Sequence, residues 1–253
     1  MKNADYLEAY KDYLTEEEKS VGTISGYTSD VKVFMDFINK DVAKIKRTDV
    51  NAYKTHLREK KKLKAASMNR KLVGIKQFID FVNDRFELGI SVKIKQEKVQ
   101  KQYTLKDEEL LTEEDYKALI KAVDNAGDLR TKALFETMYY SGMRISEALQ
   151  LRVDHVQHGR RIIEDIKGKG AKYRDIYIKT ELLDTLRAYM KVRKQPFSST
   201  TKALFVGERG PLSRQTAHNL MKKYAELAGI ELSKAHVHNL RHLFGLRLAE
   251  KGV

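Results

Sequence analysis

Apolar residues recur along the first third of the chain at the intervals of amphipathic helices. Ile24, Tyr27, Val31, Phe34, Met35 and Ile38 share one helical face. Met68, Leu72, Ile75, Ile79 and Val82 form the clearest stripe in the chain. With a first helix from about Ala4 to Glu17 and a third from about Thr48 to Lys60, the pattern predicts four helices. Thr48 is the expected N-cap of the third, because its hydroxyl can accept from an orphan amide of the first turn. The periodicity fades from Val92 to Lys106 and resumes near Leu111.

The rest of the chain mixes two periods. Helices are expected over 113–124 and 128–140, the first capped by Thr112 with acids in its opening turn. A short helix from Arg144 to Leu149 follows the break at Gly142. Two strand-like runs, 161–166 and 173–178, flank Gly168 and Gly170 and read as a hairpin with Lys169 at its tip. Helices follow over 180–193, 213–228 and 238–250, with a short apolar run at 203–206. The fold class expected is mainly α with a small β-sheet, in two domains: residues 1–92, a linker over 93–106, and residues 107–253.

Charge narrows the partners. Among 253 residues, 49 are Lys or Arg against 35 Asp or Glu, a net charge of +14. Such an excess points to a polyanion, most often nucleic acid. The fourth helix opens with Asn69, Arg70 and Lys71, preceded by Lys60, Lys61, Lys62 and Lys64, a grouping suited to DNA phosphates. Lys93, Lys95, Lys98, Lys101 and Lys106 make the linker basic enough to lie along DNA. Thr23, Ser25 and Arg214, near other helix starts, are further candidate contacts. The absence of cysteine excludes disulfides, zinc–cysteine sites and thiol nucleophiles. No apolar run has the length of a membrane span, and the first residues lack the apolar stretch of a signal peptide, so the expectation is a cytoplasmic protein without membrane contact.

The candidate chemistry lies in three boxes: Ser141-Gly142-Met143-Arg144-Ile145-Ser146-Glu147, Gly168-Lys169-Gly170-Ala171-Lys172-Tyr173-Arg174 and His238-Asn239-Leu240-Arg241-His242. Phosphodiester transfer builds negative charge on phosphorus, needs an activated nucleophile and must protonate the leaving oxygen. Arg144 and Arg241 could bind phosphate oxygens, since guanidinium stays charged and binds them bidentately. His238 precedes Arg241 by one helical turn and could share its phosphate. Lys169 could reach a leaving hydroxyl as general acid. His238 and His242 are one turn apart, as in some metal sites, but there is no cysteine and neither Asp nor Glu adjoins them on the helix, so no metal is expected.

These boxes, in this order and spacing, resemble those of the tyrosine site-specific recombinases, the integrase and Xer class. The resemblance spans essentially the whole chain. It implies a SAM-like core-binding domain that clamps DNA and a mixed α/β catalytic domain. Arg144 and Arg241 would bind the scissile phosphate, Lys169 would protonate the departing 5′-hydroxyl, and His238 would assist. Glu147 would hold Arg144 from behind, and His242 would pack behind the site. The implied reaction is metal-free cleavage and religation through a 3′-phosphotyrosine at inverted half-sites, in a synaptic tetramer. Resolution of dimers or transposon cointegrates, or integration and excision of a mobile element, would be its use. A recombinase-like regulator that binds without cutting is the alternative.

One family feature is missing. The nucleophilic tyrosine belongs well downstream of the third box, yet twelve residues follow Arg241 and none is Tyr. The expectation is a catalytic domain that is C-terminally incomplete, a chain that binds DNA without cleaving it, and a monomer in solution.

Overall fold

A computed structural model describes residues 1–98, 109–157, 161–168, 172–197, 200–250 and 252. The chain divides into two compact units, 1–102 and 103–253. It is mostly helical, and no described helix is long and apolar enough to cross a membrane.

The first unit holds the four expected helices: α1 (Asn3–Glu16), α2 (Val21–Ile38), α3 (Arg47–Thr55) and α4 (Ala65–Phe86). Helix α3 runs on into one π-helical turn, His56–Lys60. Its cap differs from the expectation. Thr48 lies inside the first turn, and the Asp49 carboxylate, four residues before Tyr53, accepts from the Lys46 amide at 2.9 Å. A carboxylate can reach back to the free amide and also favours the positive end of the helix, so the start moves upstream. The stripe of α4 packs on α2 around Phe34, Leu72, Ile75 and Phe78, with Tyr10 edge-on to Phe78. Gly74 permits the close crossing, since a Cβ there would lie 3.2 Å from the Tyr27 ring.

Residues 92–98 have no regular structure but alternate in burial. Val92 and Ile94 pack against the first unit's core, while Lys93, Lys95 and Lys98 are exposed. Asn69 fastens this strap: its side-chain amide donates to the Glu97 carbonyl (2.9 Å), and its oxygen accepts from the Glu97 amide (2.7 Å). Lys54 and Arg58 pair with the Glu97 carboxylate. Lys101 and Lys106 lie outside the described residues.

The second unit comprises α5 (Glu113–Asn125), α6 (Leu129–Ser141), α7 (Ile145–Ala148), α8 (Val153–Gln157), a hairpin of β1 (Ile162–Lys167) and β2 (Tyr173–Tyr177), α9 (Thr180–Val192), α10 (Arg214–Leu227) and α11 (Val237–Glu250). Thr112 caps α5 as expected, its hydroxyl accepting from the Asp115 amide at 3.1 Å. The short helix α8 is an addition to the sequence reading. Helix α6 is buried on nearly all sides, with Ala133, Leu134, Phe135 and Met138 fully enclosed, and α5, α9 and α11 surround it. Asp128 caps α6 and also accepts from the Tyr224 hydroxyl (3.0 Å), which ties in α10. The run at 203–206 makes isolated bridges, Ala203 to Arg152 and Val206 to Pro211, rather than a strand.

Candidate active site

The site grows from the end of α6. Gly142 closes that helix in the left-handed region (φ 61°), where glycine avoids the penalty of a side chain. The chain then turns into α7, and Glu147 reaches back so that Oε2 accepts from the Arg144 amide at 2.8 Å. The same carboxylate, 1% exposed, gathers guanidinium groups. Arg144 donates to Oε1 at 2.9 Å, Arg174 to Oε2 at 2.7 Å, and an Arg241 nitrogen lies 3.9 Å from Oε2. Arg241 also donates to the carbonyl of Gly142. Sequence positions 144, 174 and 241 thereby meet around one buried acid.

The hairpin comes to this point by the end near its turn, where Lys167 pairs with Tyr173 and Ile166 with Arg174. Ile176 is buried, so alternation along β2 turns Arg174 to the same inner face, while Tyr173 and Tyr177 stay exposed. Arg174 pairs with Ile166 across the ladder, beyond an irregularity at Glu164 and Asp165 where Asp165 takes φ 58°. Gly168 passes close to α7: a Cβ there would lie 3.3 Å from Glu147 Oε1. Gln150 donates to the Lys167 carbonyl at 3.1 Å. Lys169, the expected general acid, lies outside the described residues.

The third box opens α11. Asn239 is buried and its amide donates to the carbonyls of Glu109 (2.7 Å) and Lys234 (3.0 Å), fixing the helix start. His238 and His242 meet edge to face with centroids 4.8 Å apart. His242 joins Gly142, Arg174, Arg241 and Phe244 in lining one pocket.

Electrostatics follow from this crowding. Burial alone would raise the Glu147 pKa, but the Arg144 amide and the Arg174 and Arg144 guanidiniums outweigh it and hold the carboxyl below its ordinary range. Burial, then His242, Arg241 and Arg144, lower His238 below the usual histidine value. Burial, then Arg144 and Arg174, lower Arg241, though a guanidinium stays charged. The cluster forms a cationic socket.

The remaining candidates are dispersed. Thr23 and Ser25 lie in the first turns of α2, Ser25 exposed and Thr23 bonded to the Ser20 cap. Lys64 is exposed at the α4 start, and Arg70 and Lys71 both pair with the buried carboxylate of Asp30. Asn69 is engaged by the strap rather than held free. Arg214 is exposed at the start of α10. Sequence reasoning gave Arg174 no role, although it ends the second box. Its partner Glu147 lies 27 positions back, and no local signal announces that pairing.

Comparison with known proteins accords with this geometry. Residues 109–253 match the phage integrase family, and residues 6–87 match the phage integrase N-terminal SAM-like domain. The chain is 32% identical to the tyrosine recombinase XerD of Corynebacterium glutamicum, over 92% of this chain and 80% of that protein. It is 30% identical to XerA of Pyrococcus horikoshii (99% and 82%) and 26% identical to the TnP I resolvase of Bacillus thuringiensis (98% and 87%). The fold resembles a lambda integrase (75–356) dimer bound to a COC′ core site, with a TM-score of 0.71, 16% identity, and coverage of 100% of this chain and 88% of that one. With both units matched and three boxes converging on one carboxylate, the chain belongs to the phage integrase family of tyrosine recombinases.

Proposed function

We propose that this protein carries out site-specific DNA recombination, binding duplex DNA at inverted half-sites and assembling on it as a synaptic tetramer. The observation that carries the reading is the convergence of Arg144, Arg174 and Arg241 on buried Glu147, in the boxes that the family shares. Arg144 and Arg241 bind the scissile phosphate, His238 shares that phosphate or a proton in transit, and Lys169 protonates the leaving 5′-oxygen. The phosphorus–oxygen bond to the 5′-carbon breaks as a tyrosine oxygen bonds to phosphorus, and religation reverses the exchange. No metal is required, because guanidinium charge offsets the charge that develops. Glu147 keeps the two phosphate arginines oriented, and His242 backs the pocket.

The DNA contacts proposed are Thr23, Ser25, Lys64, Arg70, Lys71, Lys93, Lys95 and Arg214, with Asn69 holding the strap that presents the two lysines. Relatives named as resolvase and as Xer recombinases support resolution of dimers or cointegrates as the use, with integration or excision of a mobile element as the close alternative. Residues 1–253 supply the phosphate pocket, and no tyrosine follows Arg241 among them. On this reading the polypeptide 1–253 binds DNA without cutting it.

The test incubates the native gene product with DNA carrying candidate sites and resolves covalent adducts on denaturing gels. Adducts should form in chelator, vanish in Arg241→Ala with DNA binding retained, and be absent for polypeptide 1–253. Undiminished adducts from Arg241→Ala, or a strict need for magnesium, would overturn the proposal.

A further inference from the structure

Arg174 sits where a third guanidinium changes the charge balance of the pocket. Its own hydrogen bond goes to Glu147 Oε2 at 2.7 Å, while Arg144 uses Oε1 and Arg241 stands off at 3.9 Å. Among the described residues, no other carboxylate is ion-paired with any of the three. Three guanidiniums against one carboxylate leave two positive charges. Without Arg174 one would remain, because Glu147 would cancel Arg144 or Arg241. All three side chains stay partly exposed, at 40%, 40% and 28%, beside a carboxylate at 1%, so the uncancelled charge is open to an incoming anion.

A phosphodiester carries one negative charge. Attack by a deprotonated oxygen adds a second, shared among the oxygens on phosphorus at the transition state. Groups that favour the second charge over the first accelerate the reaction, whereas equal binding of both does not.

We infer that Arg174 is the charge-compensating residue of this pocket: by neutralising Glu147 it leaves Arg144 and Arg241 fully cationic and selects a doubly charged phosphoryl group over a singly charged diester. It acts through Glu147, so it is a positioning residue. The inference rests on the reading of Arg144 and Arg241 as the phosphate site. A fastener that merely joins the hairpin to α7 would hold the fold without setting such a preference.

The test uses polypeptide 1–253 at pH 8 and two probes, inorganic phosphate as dianion and dimethyl phosphate as monoanion. The His238 and His242 ring resonances report binding at this site rather than on surface lysines. Wild type should prefer the dianion. Arg174→Gln should lose roughly ten-fold of the phosphate affinity but only about three-fold of the dimethyl phosphate affinity, because the Coulomb energy of the lost charge is halved for a single negative charge. Arg174→Lys should recover most of the preference, since it restores the charge. Equal binding of both anions by wild type would overturn the inference without any variant. So would parallel loss of both anions in Arg174→Gln, or no change at all. Arg241→Gln separates the two readings: if it loses neither anion, the phosphate assignment of the pocket fails, not merely the role of Arg174.

Discussion

At Gly142 the backbone is left-handed, and a Cβ would lie 2.3 Å from the Phe244 ring, while the carbonyl accepts from Arg241. A methyl group there must strain the backbone and displace a packed ring. Gly142→Ala should lose about 2–4 kcal/mol of stability, seen as a lower urea midpoint at unchanged slope. A wild-type midpoint would mean that Phe244 moves aside freely. His238 offers a test by pH. Its folded pKa is depressed, by burial first and then by His242, Arg241 and Arg144. The unfolded chain therefore binds the proton more readily, and the stability this contributes is present above about 6.5 and lost as pH falls through the folded value. A phosphate in the socket supplies the opposite charge and favours the protonated ring. An NMR titration should find the His238 midpoint below that of a free histidine, moving upward when phosphate is added. A midpoint that phosphate leaves in place would detach His238 from the anion site. The roles proposed for Arg144 and Arg241 were legible because each sits in a box with recognisable neighbours. That of Arg174 was not, because its partner Glu147 lies 27 positions back and meets it only when the hairpin packs on α7.

Among the elements, α4 shows how a periodic stripe and a polar edge divide their work. Met68, Leu72, Ile75, Ile79 and Val82 are all buried, as their spacing requires. Asn69, on the other side of the first turn, holds residues 92–98 by a reciprocal pair of hydrogen bonds. Removing it leaves the Glu97 amide and carbonyl to water. Asn69→Ala should cost about 1–2 kcal/mol and quicken hydrogen exchange at the Glu97 amide by roughly ten-fold or more. Unchanged exchange would show that Val92, Ile94 and the Glu97 ion pairs suffice to hold the strap. The helices themselves were readable because their signals, caps and 3.6-residue periods, act within a few positions. The cap of α3 was misplaced because Thr48 and Asp49 both can cap, and the choice depends on where the chain enters from Lys46.

For the molecule as a whole, the net charge of +14 sets the strength and salt dependence of association with DNA. The strap exposes Lys93, Lys95 and Lys98. Replacing all three with alanine should reduce the slope of log affinity against log salt by about 0.9 for each phosphate that a lysine no longer neutralises. An unchanged slope would mean that the strap does not follow the backbone of DNA. Composition, helical periods, caps and the three boxes were enough to determine a mostly helical chain of two units and its family, and to point to a polyanionic partner. Each of those is written in residue type or in spacings of a few positions, where local physics decides. The tertiary structure alone decided what Arg174 and Asn69 do, and that Glu147, expected behind Arg144, also takes Arg174 and stands near Arg241. Arg241 bonds a carbonyl 99 positions away, Arg174 pairs with an acid 27 positions back, and Asn69 grips a backbone 28 positions on. Such partners share no local signal, since they meet only after core packing has brought α6, α7, α11 and the hairpin, and separately α4 and its strap, to their places.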